Sequence, residues 1–281
     1  MDAAGRLVDV ETEARRTALR YRYQQPVGML LRELREERGL SQFALALQTE
    51  VSQRHLSFVE TGRANPSPEL IGKLADRLEL ALRERNRLLL AAGHAPVYRE
   101  TSLEDVELEA VREAARRILK AHEPAPALLV DRRWNVVELN QGVALLAMLV
   151  APHLLESPIN VMRVSLHPDG LAPHVVNFDQ WREHLLARLR RQIAVSLDDE
   201  LAGLYEEVSS YPGVKGTPVA TGNEAADVLL PMRLRVGDRE LEFFSTMTVF
   251  GTAADITVAE LAIESFFPAD PETRRALEEL S

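Results

Sequence analysis

Cysteine is absent from this 281-residue chain, which excludes disulfides, thiolate metal centres and cysteine nucleophiles. Long apolar runs are absent too: none approaches the roughly 18–20 residues that span a bilayer. The first residues carry too many charges for a secretory leader, so the expected location is cytoplasmic, with no membrane partner. There is no internal repeat and no low-complexity tract. What remains is an ordinary globular composition, 46% hydrophobic and 27% charged, in a chain long enough for one small and one medium-sized core.

The shortage of positive charge, a net of -10, argues at first against a nucleic-acid partner. The acidity is not spread evenly, however. Residues 26–99 hold 11 Lys/Arg against 9 Asp/Glu, residues 1–25 hold 5 against 4, and residues 100–281 hold 17 against 30. A weakly basic module followed by an acidic one is compatible with DNA binding by the first alone.

Residues 1–25 lack a firm apolar stripe and read as a frayed leader, with a basic arm of Arg15, Arg16, Arg20 and Arg22 as the alternative. Residues 26–95 read as five short helices. Pro26 opens the first, which carries Leu30, Leu31 and Leu34 on one face and stops at Gly39. Ser41 caps the second and Ser52 the third. Leu70, Ile71, Leu74, Ala75 and Leu78 stripe the fourth, and a fifth runs from about Arg83 to a stop at Gly93. Residues 96–103 read as a linker. Residues 104–270 read as an α+β domain with helices over 104–121, 141–150, 178–196 and 198–211. Its strands are expected over 127–130, 135–139, 228–236, 240–250 and 256–265, the first two joined by a turn at Asp131, Arg132 and Arg133. That makes an antiparallel sheet of about five strands. Residues 271–281 close the chain as a helix.

The most specific local signal is residues 40–68, LSQFALALQTEVSQRHLSFVETGRANPSP. Two short helices meet at a tight turn, and a basic loop follows. Close packing of such a pair needs a small residue in the first helix, which Ala46 supplies. It also needs aliphatics on the inner face of the second, which Val51, Leu56 and Val59 supply. The outer face is polar, and one α-helix fits the major groove. Arg54 can donate two parallel bonds to guanine O6 and N7, and Gln53 can pair with adenine N6 and N7. His55 suits a phosphate or a base. Phe58 is the odd residue on that face: it either presses on a thymine methyl or packs against the neighbouring loop. Gln42, Arg63 and Asn65 suit phosphate contacts, which set position and not sequence.

Over about residues 28–92, through LSQ and VSQRHLSFVETGRANPS, the chain resembles the Cro/phage-repressor-like (XRE) family of transcription regulators. The resemblance implies a backbone contact at Gln42, recognition contacts at Ser52, Gln53, Arg54, His55, Ser57 and Phe58, and a phosphate grip at Gly62, Arg63 and Asn65. One departure stands out. Glu50 occupies the inter-helix turn, where the family usually has glycine, which implies backbone strain and a negative charge near DNA.

The acidic part carries weaker signals. His167, Asp169, His174, Asp179 and His184 lie close in sequence, beside Trp181 and Arg182. No pair has the i, i+4 spacing of a helix-borne site, and His167 and His174 sit in a loop with two prolines, so no metal site is expected. No G-x-S-x-G elbow occurs, and no catalytic residue is assigned. Three segments, PALLVDRRWNVVELN, NVMRVSLHPDGLAPHVVNFDQWREHLLARLRRQ and ELEFFSTMTVFGTAADITVAELAIESFFPAD, resemble the PAS-like ligand-binding domain of MmyB-type regulators. LRERNRLLLAAGHAPVYRET resembles the same subfamily. The resemblance implies a one-component sensor, in which a small molecule bound by the C-terminal domain alters DNA binding.

Strand alternation puts Phe244, Thr246, Thr248 and Phe250 on one face, and Leu241, Phe243, Ser245, Met247 and Val249 on the other. Both faces are largely apolar, so a cavity there suits a long apolar ligand such as a fatty acid. Phe244, Thr246, Phe250 and Trp181 are its expected lining, with Arg163 or His167 neutralising a carboxylate at its mouth. The same residues also suit a plain core, with Arg163 in a structural salt bridge. The expectation as a whole is a non-enzymatic transcription regulator without a cofactor, responding to a small-molecule effector. Its partner is double-stranded DNA with a near-palindromic operator, bound by a homodimer whose recognition helices lie about 34 Å apart. Two other readings stay open: a C-terminal protein-interaction or dimerisation module, and a metal-dependent enzyme.

Overall fold

The computed structural model describes residues 25–196, 198–213, 230–251 and 253–280. The chain divides into two compact units, Met1–Arg99 and Glu100–Ser281, and each is described by itself. Apart from Gln25, the leader lies outside the described residues.

In the first unit, apolar periodicity and serine caps produce five helices: α1 (Val27–Glu37), α2 (Gln42–Gln48), α3 (Gln53–Glu60), α4 (Pro68–Arg77) and α5 (Leu82–Ala91). The hydroxyls of Ser41, Ser52 and Ser67 accept the amide N–H of Ala44, His55 and Leu70 at 3.1, 3.1 and 3.2 Å, each cap contributing about 1 kcal/mol. Leu30, Leu31, Leu34, Leu45, Leu56, Val59, Ile71 and Leu74 are buried together, at about 1.5–3 kcal/mol of transfer free energy apiece. Val51, expected inside, is half-buried.

Two features fix the crossing of α1 and α3. A Cβ on Gly28 would lie 2.3 Å from the Val59 carbonyl oxygen and 2.7 Å from that of Glu60, so the two backbones meet where no side chain fits. Beside that contact Arg35 grips buried Glu60 through parallel bonds, Nε to Oε1 at 2.7 Å and Nη2 to Oε2 at 2.9 Å. Glu50 between α2 and α3 has φ 58°, the left-handed conformation in which a residue with a Cβ is strained.

The second unit places helices on both faces of a sheet. Its elements are α6 (Glu109–Ala121), β1 (Ala127–Val130), β2 (Val136–Leu139), α7 (Ala144–Ala147), α8 (Val161–Leu166), α9 (Phe178–Ser196), α10 (Asp199–Ser209), β3 (Met232–Val236), β4 (Arg239–Val249), α11 (Ile256–Ala259), β5 (Ala262–Pro268) and α12 (Pro271–Leu280). The strand order is β2-β1-β5-β4-β3, and every pairing is antiparallel. Directly opposed residues share a face, so the rows Leu128–Glu264–Met247 and Leu129–Ile263–Thr248 assign the two sides. On the first side Leu128, Val130, Leu241, Phe243 and Phe266 form the large core with Met162, Leu166, Phe178, Trp181, Leu189 and Leu204. On the second, Ala127, Leu129 and Ile263 meet Ala115 and Leu119 of α6.

The expected strand over 256–265 is corrected: α11 occupies its first residues and β5 starts at Ala262. β-Branched Ile256, Thr257 and Val258 favour a strand, but Asp255 accepts the amides of Thr257 and Val258 at 2.9 and 3.4 Å. Thr101 holds this turn by donating its hydroxyl to Asp255 at 2.7 Å and accepting that of Thr257 on its carbonyl at 2.6 Å. The helix expected over 141–150 is a 3-10 turn, Gln141–Val143, running into the single turn α7. The helix expected from 104 opens as a 3-10 turn, Val106–Leu108, before α6. Of the strand expected over 228–236, residues 228 and 229 lie outside the described residues, and β3 starts at Met232.

Candidate nucleic-acid interface

Helix α3 is amphipathic in the sense its sequence demands. Leu56, Val59 and Glu60 point inward, whereas Ser52, Gln53, Arg54 and His55 are exposed and Ser57 and Phe58 half-buried. Ser52 already accepts the His55 amide, which leaves the hydroxyl proton and one lone pair of its oxygen. The Arg54 and Arg63 guanidinium carbons lie 5.3 and 5.9 Å from the Phe58 ring centre. Cation–π attraction of this kind holds a long side chain at a preferred place. The Phe58 ring meets the loop through Arg63, and the Phe58 carbonyl accepts the amides of Arg63 and Ala64 at 2.7 and 3.1 Å; half-buried, the ring keeps part of its surface open. Gly62, with φ 73°, makes that reversal, a left-handed helix stop.

Other expected contacts are partly engaged inside the protein. Gln42 donates from Nε2 to Glu60 Oε2 at 2.7 Å, joining the Arg35 pair. Asn65 donates from Nδ2 to the Ala92 carbonyl at 2.9 Å, and the nearby His94 Nε2 lies 2.9 Å from the Pro66 carbonyl. Arg35, Glu60 and Gly28 were not anticipated as functional residues. Their signal was a charge on the inward side of α3, four residues after Leu56.

In the second unit the six expected ligand-lining residues are divided among separate places. Arg163 donates from Nε and Nη2 to Glu207 at 2.7 Å each, which holds the Glu207 carboxyl below the usual carboxylate range. The Tyr211 hydroxyl donates to the same carboxylate at 2.6 Å; burial first and this bond second push Tyr211 up to about 12. His167 meets Tyr211 edge-on at 4.9 Å. Trp181 lies in the large core and stacks on His184 at 5.6 Å, whose imidazole is pushed down by burial and then by the charges of Arg188 and Arg191.

Phe244, by contrast, stacks on Phe267 at 5.1 Å, and Phe267 meets His122, at the end of α6, edge-on at 4.6 Å. Phe250 packs with the α6 cluster and Thr246 is exposed. Alternation along β4 thus puts these three across the sheet from Trp181, and the expected lining of one shared cavity is corrected.

The large core holds polar groups that the sequence did not announce. The Trp181 indole N–H is buried and meets no acceptor among the described residues. Arg188 lies over the Trp134 ring at 4.4 Å and donates to Glu264 at 3.1 Å. Burial pushes the Glu264 carboxyl up, against the pull of Arg188. Trp134 itself has φ 68°, a strained conformation for a bulky residue. Its indole N–H donates to Gln192 at 2.8 Å.

A capped α2–α3 pair in a five-helix bundle, followed by a sheet domain, defines a helix-turn-helix protein with a second, separate module. The family model for a helix-turn-helix domain matches residues 26–88. The model described as the MmyB-like transcription regulator ligand binding domain matches residues 111–280. The chain belongs to the MmyB-like transcription regulators, and it is a DNA-binding transcription regulator with a ligand-binding domain. No curated protein matches it. A solved structure described as an RNA-binding light-oxygen-voltage receptor aligns over 100% of this chain and 68% of that one, at 14% identity and a TM-score of 0.25, from which no argument follows. Among the described residues no helix is long and apolar enough to cross a membrane.

Proposed function

We propose that α3 reads a specific operator from the major groove. Arg54 pairs with a guanine and Gln53 with an adenine, Ser52, His55, Ser57 and Phe58 complete the contact, and Gln42, Arg63 and Asn65 hold phosphates. The observation that carries this is the exposed row from Ser52 to His55 at the start of a helix whose inner face is locked into the bundle. Selection of bound fragments from random DNA tests it. Replacing Gln53 and Arg54 by Ala removes two bidentate contacts, each worth about 1–3 kcal/mol of discrimination. Arg63→Ala weakens all sequences alike and lowers the salt slope by about one. Recovery of no enriched sequence by the unaltered protein refutes the reading.

The rest of this reading is a cytoplasmic, non-enzymatic homodimer on a near-palindromic site, with an apolar effector such as a fatty acid. The effector lies between the sheet and α9. The buried Trp181 N–H, without an acceptor among the described residues, supports this, since an unmet buried donor costs about 1–3 kcal/mol. By binding one state more tightly, the effector biases the arrangement of the two helix-turn-helix units. Native mass spectrometry of the purified protein checks for a retained small molecule, which Trp181→Phe releases more readily.

A further inference from the structure

The fold brings together three side chains that lie on two separate loops. His153 sits on the 3-10 turn Pro152–Leu155, His167 ends α8, and Asp169 follows two residues later. His153 Nε2 and His167 Nδ1 each lie 3.9 Å from Asp169 Oδ2, and one ligand atom from each residue lies within 4.8 Å of the other two. We infer that His153, His167 and Asp169 form a binding site for a first-row divalent cation, with Zn2+ as its best occupant.

The donor set and the spacing both point this way. Two imidazoles and one carboxylate suit zinc and its neighbours, whereas calcium and magnesium take oxygen. Tetrahedral zinc with bonds of about 2.0–2.1 Å sets its ligands about 3.3 Å apart. The 3.9 Å separations close to that by small side-chain rotations. The two loops are held for the purpose by backbone bonds: Ala151 N–H donates to the Asp169 carbonyl at 2.9 Å, and Gly170 N–H to the His167 carbonyl at 2.9 Å. Gly170 is required there, because a Cβ on it would lie 2.2 Å from the Val164 carbonyl oxygen. The Asp169 amide donates to His167 Nδ1 at 3.0 Å, so that nitrogen already faces the carboxylate as an acceptor, and the cation replaces a single amide bond. Three protein ligands leave a coordination position for water or a small anion.

The chain has seven histidines and no cysteine, which makes the test clean. Full-length protein is stripped with a chelator and titrated with Zn2+ against a chromophoric competitor, and Co2+ supplies the d–d spectrum of the site. The expected result is one tight equivalent and tetrahedral Co2+ bands. Loss of an outer-shell partner typically weakens a metal by 10–100-fold, so His153→Ala and His167→Ala each weaken Zn2+ by at least about tenfold, and His174→Ala leaves it unchanged. His153 is exposed, so His153→Ala keeps its thermal melt and reports on the cation alone. Equal zinc binding by His153→Ala, or no equivalent above that of a His153→Ala/His167→Ala double variant, overturns the assignment.

Discussion

Both units bury an arginine–carboxylate pair, and the two pairs are built to different standards. In the helical unit Glu60, its side chain 1% exposed, receives two bonds from Arg35 and a third from Gln42. Arg35 also donates to the Leu40 carbonyl at 2.7 Å, and the bond to Glu60 raises its guanidinium above the ordinary value. In the sheet unit Glu264, 3% exposed, has a single bond from Arg188 at 3.1 Å and help from the Ser245 hydroxyl. The first carboxylate has three side-chain donors and the second has fewer. A clamp of three bonds lets the outer face of α3 carry exposed polar groups without loosening the bundle. Burial pushes the second carboxylate toward its neutral form, against the pull of Arg188.

Four substitutions sharpen or break that comparison. Glu60→Ala strands a buried guanidinium and is expected to cost about 3–5 kcal/mol, read as the loss of the helical unit's unfolding transition in denaturant. A loss well below that would mean the pair is no clamp. Gly28→Ala drives a methyl into the α3 backbone and is expected to cost about 1–3 kcal/mol, seen as a lower melting temperature. Asn65→Ala removes one bond to Ala92 and is expected to cost about 1 kcal/mol, measured the same way.

Glu264→Gln has the smallest effect and a different signature. A carboxyl raised on folding holds its proton more tightly in the native state. Stability from this group is therefore complete below the unfolded value and falls as pH rises through the folded one. Unfolding curves across that window should slope downward in the unaltered sheet unit and flatten in the variant. Equal slopes would show that Glu264 contributes no pH dependence.

What could be read from the sequence follows from how local each cause is. Ser41 and Ser52 cap helices with amides three residues away, and the strain at Glu50 follows from its place in a tight turn. Such causes lie within one turn of chain. Gly28 is silent in the sequence because its reason lies across the bundle, on the carbonyls of Val59 and Glu60. Ile256, Thr257 and Val258 looked like strand because nothing nearby reveals that Thr101 holds them as a helical turn. The ligand-lining set failed as one cavity for a related reason. Alternation along β4 was read correctly, but it does not say which face meets α6 and which meets α9. His153 stood apart from the other histidines for the same cause, since only the fold brings it to Asp169.

The bond from Asn65 to Ala92, with the one between His94 and the Pro66 carbonyl, has a mechanical consequence. The loop that follows α3 is fastened to the last residues of its own unit, just before the chain leaves it at Arg99. The segment that leaves is fastened to α5 as well: Asn86 accepts the Val97 and Tyr98 amides at 2.9 and 3.0 Å and donates to the Tyr98 carbonyl at 2.6 Å. Tension along it therefore reaches α5 first, and the loop of Arg63 and Asn65 through it. A pull strong enough to move residues 92–94 must carry the loop along or break both bonds. A displacement of the end of α5 is therefore passed directly to the loop that carries Arg63 and Asn65.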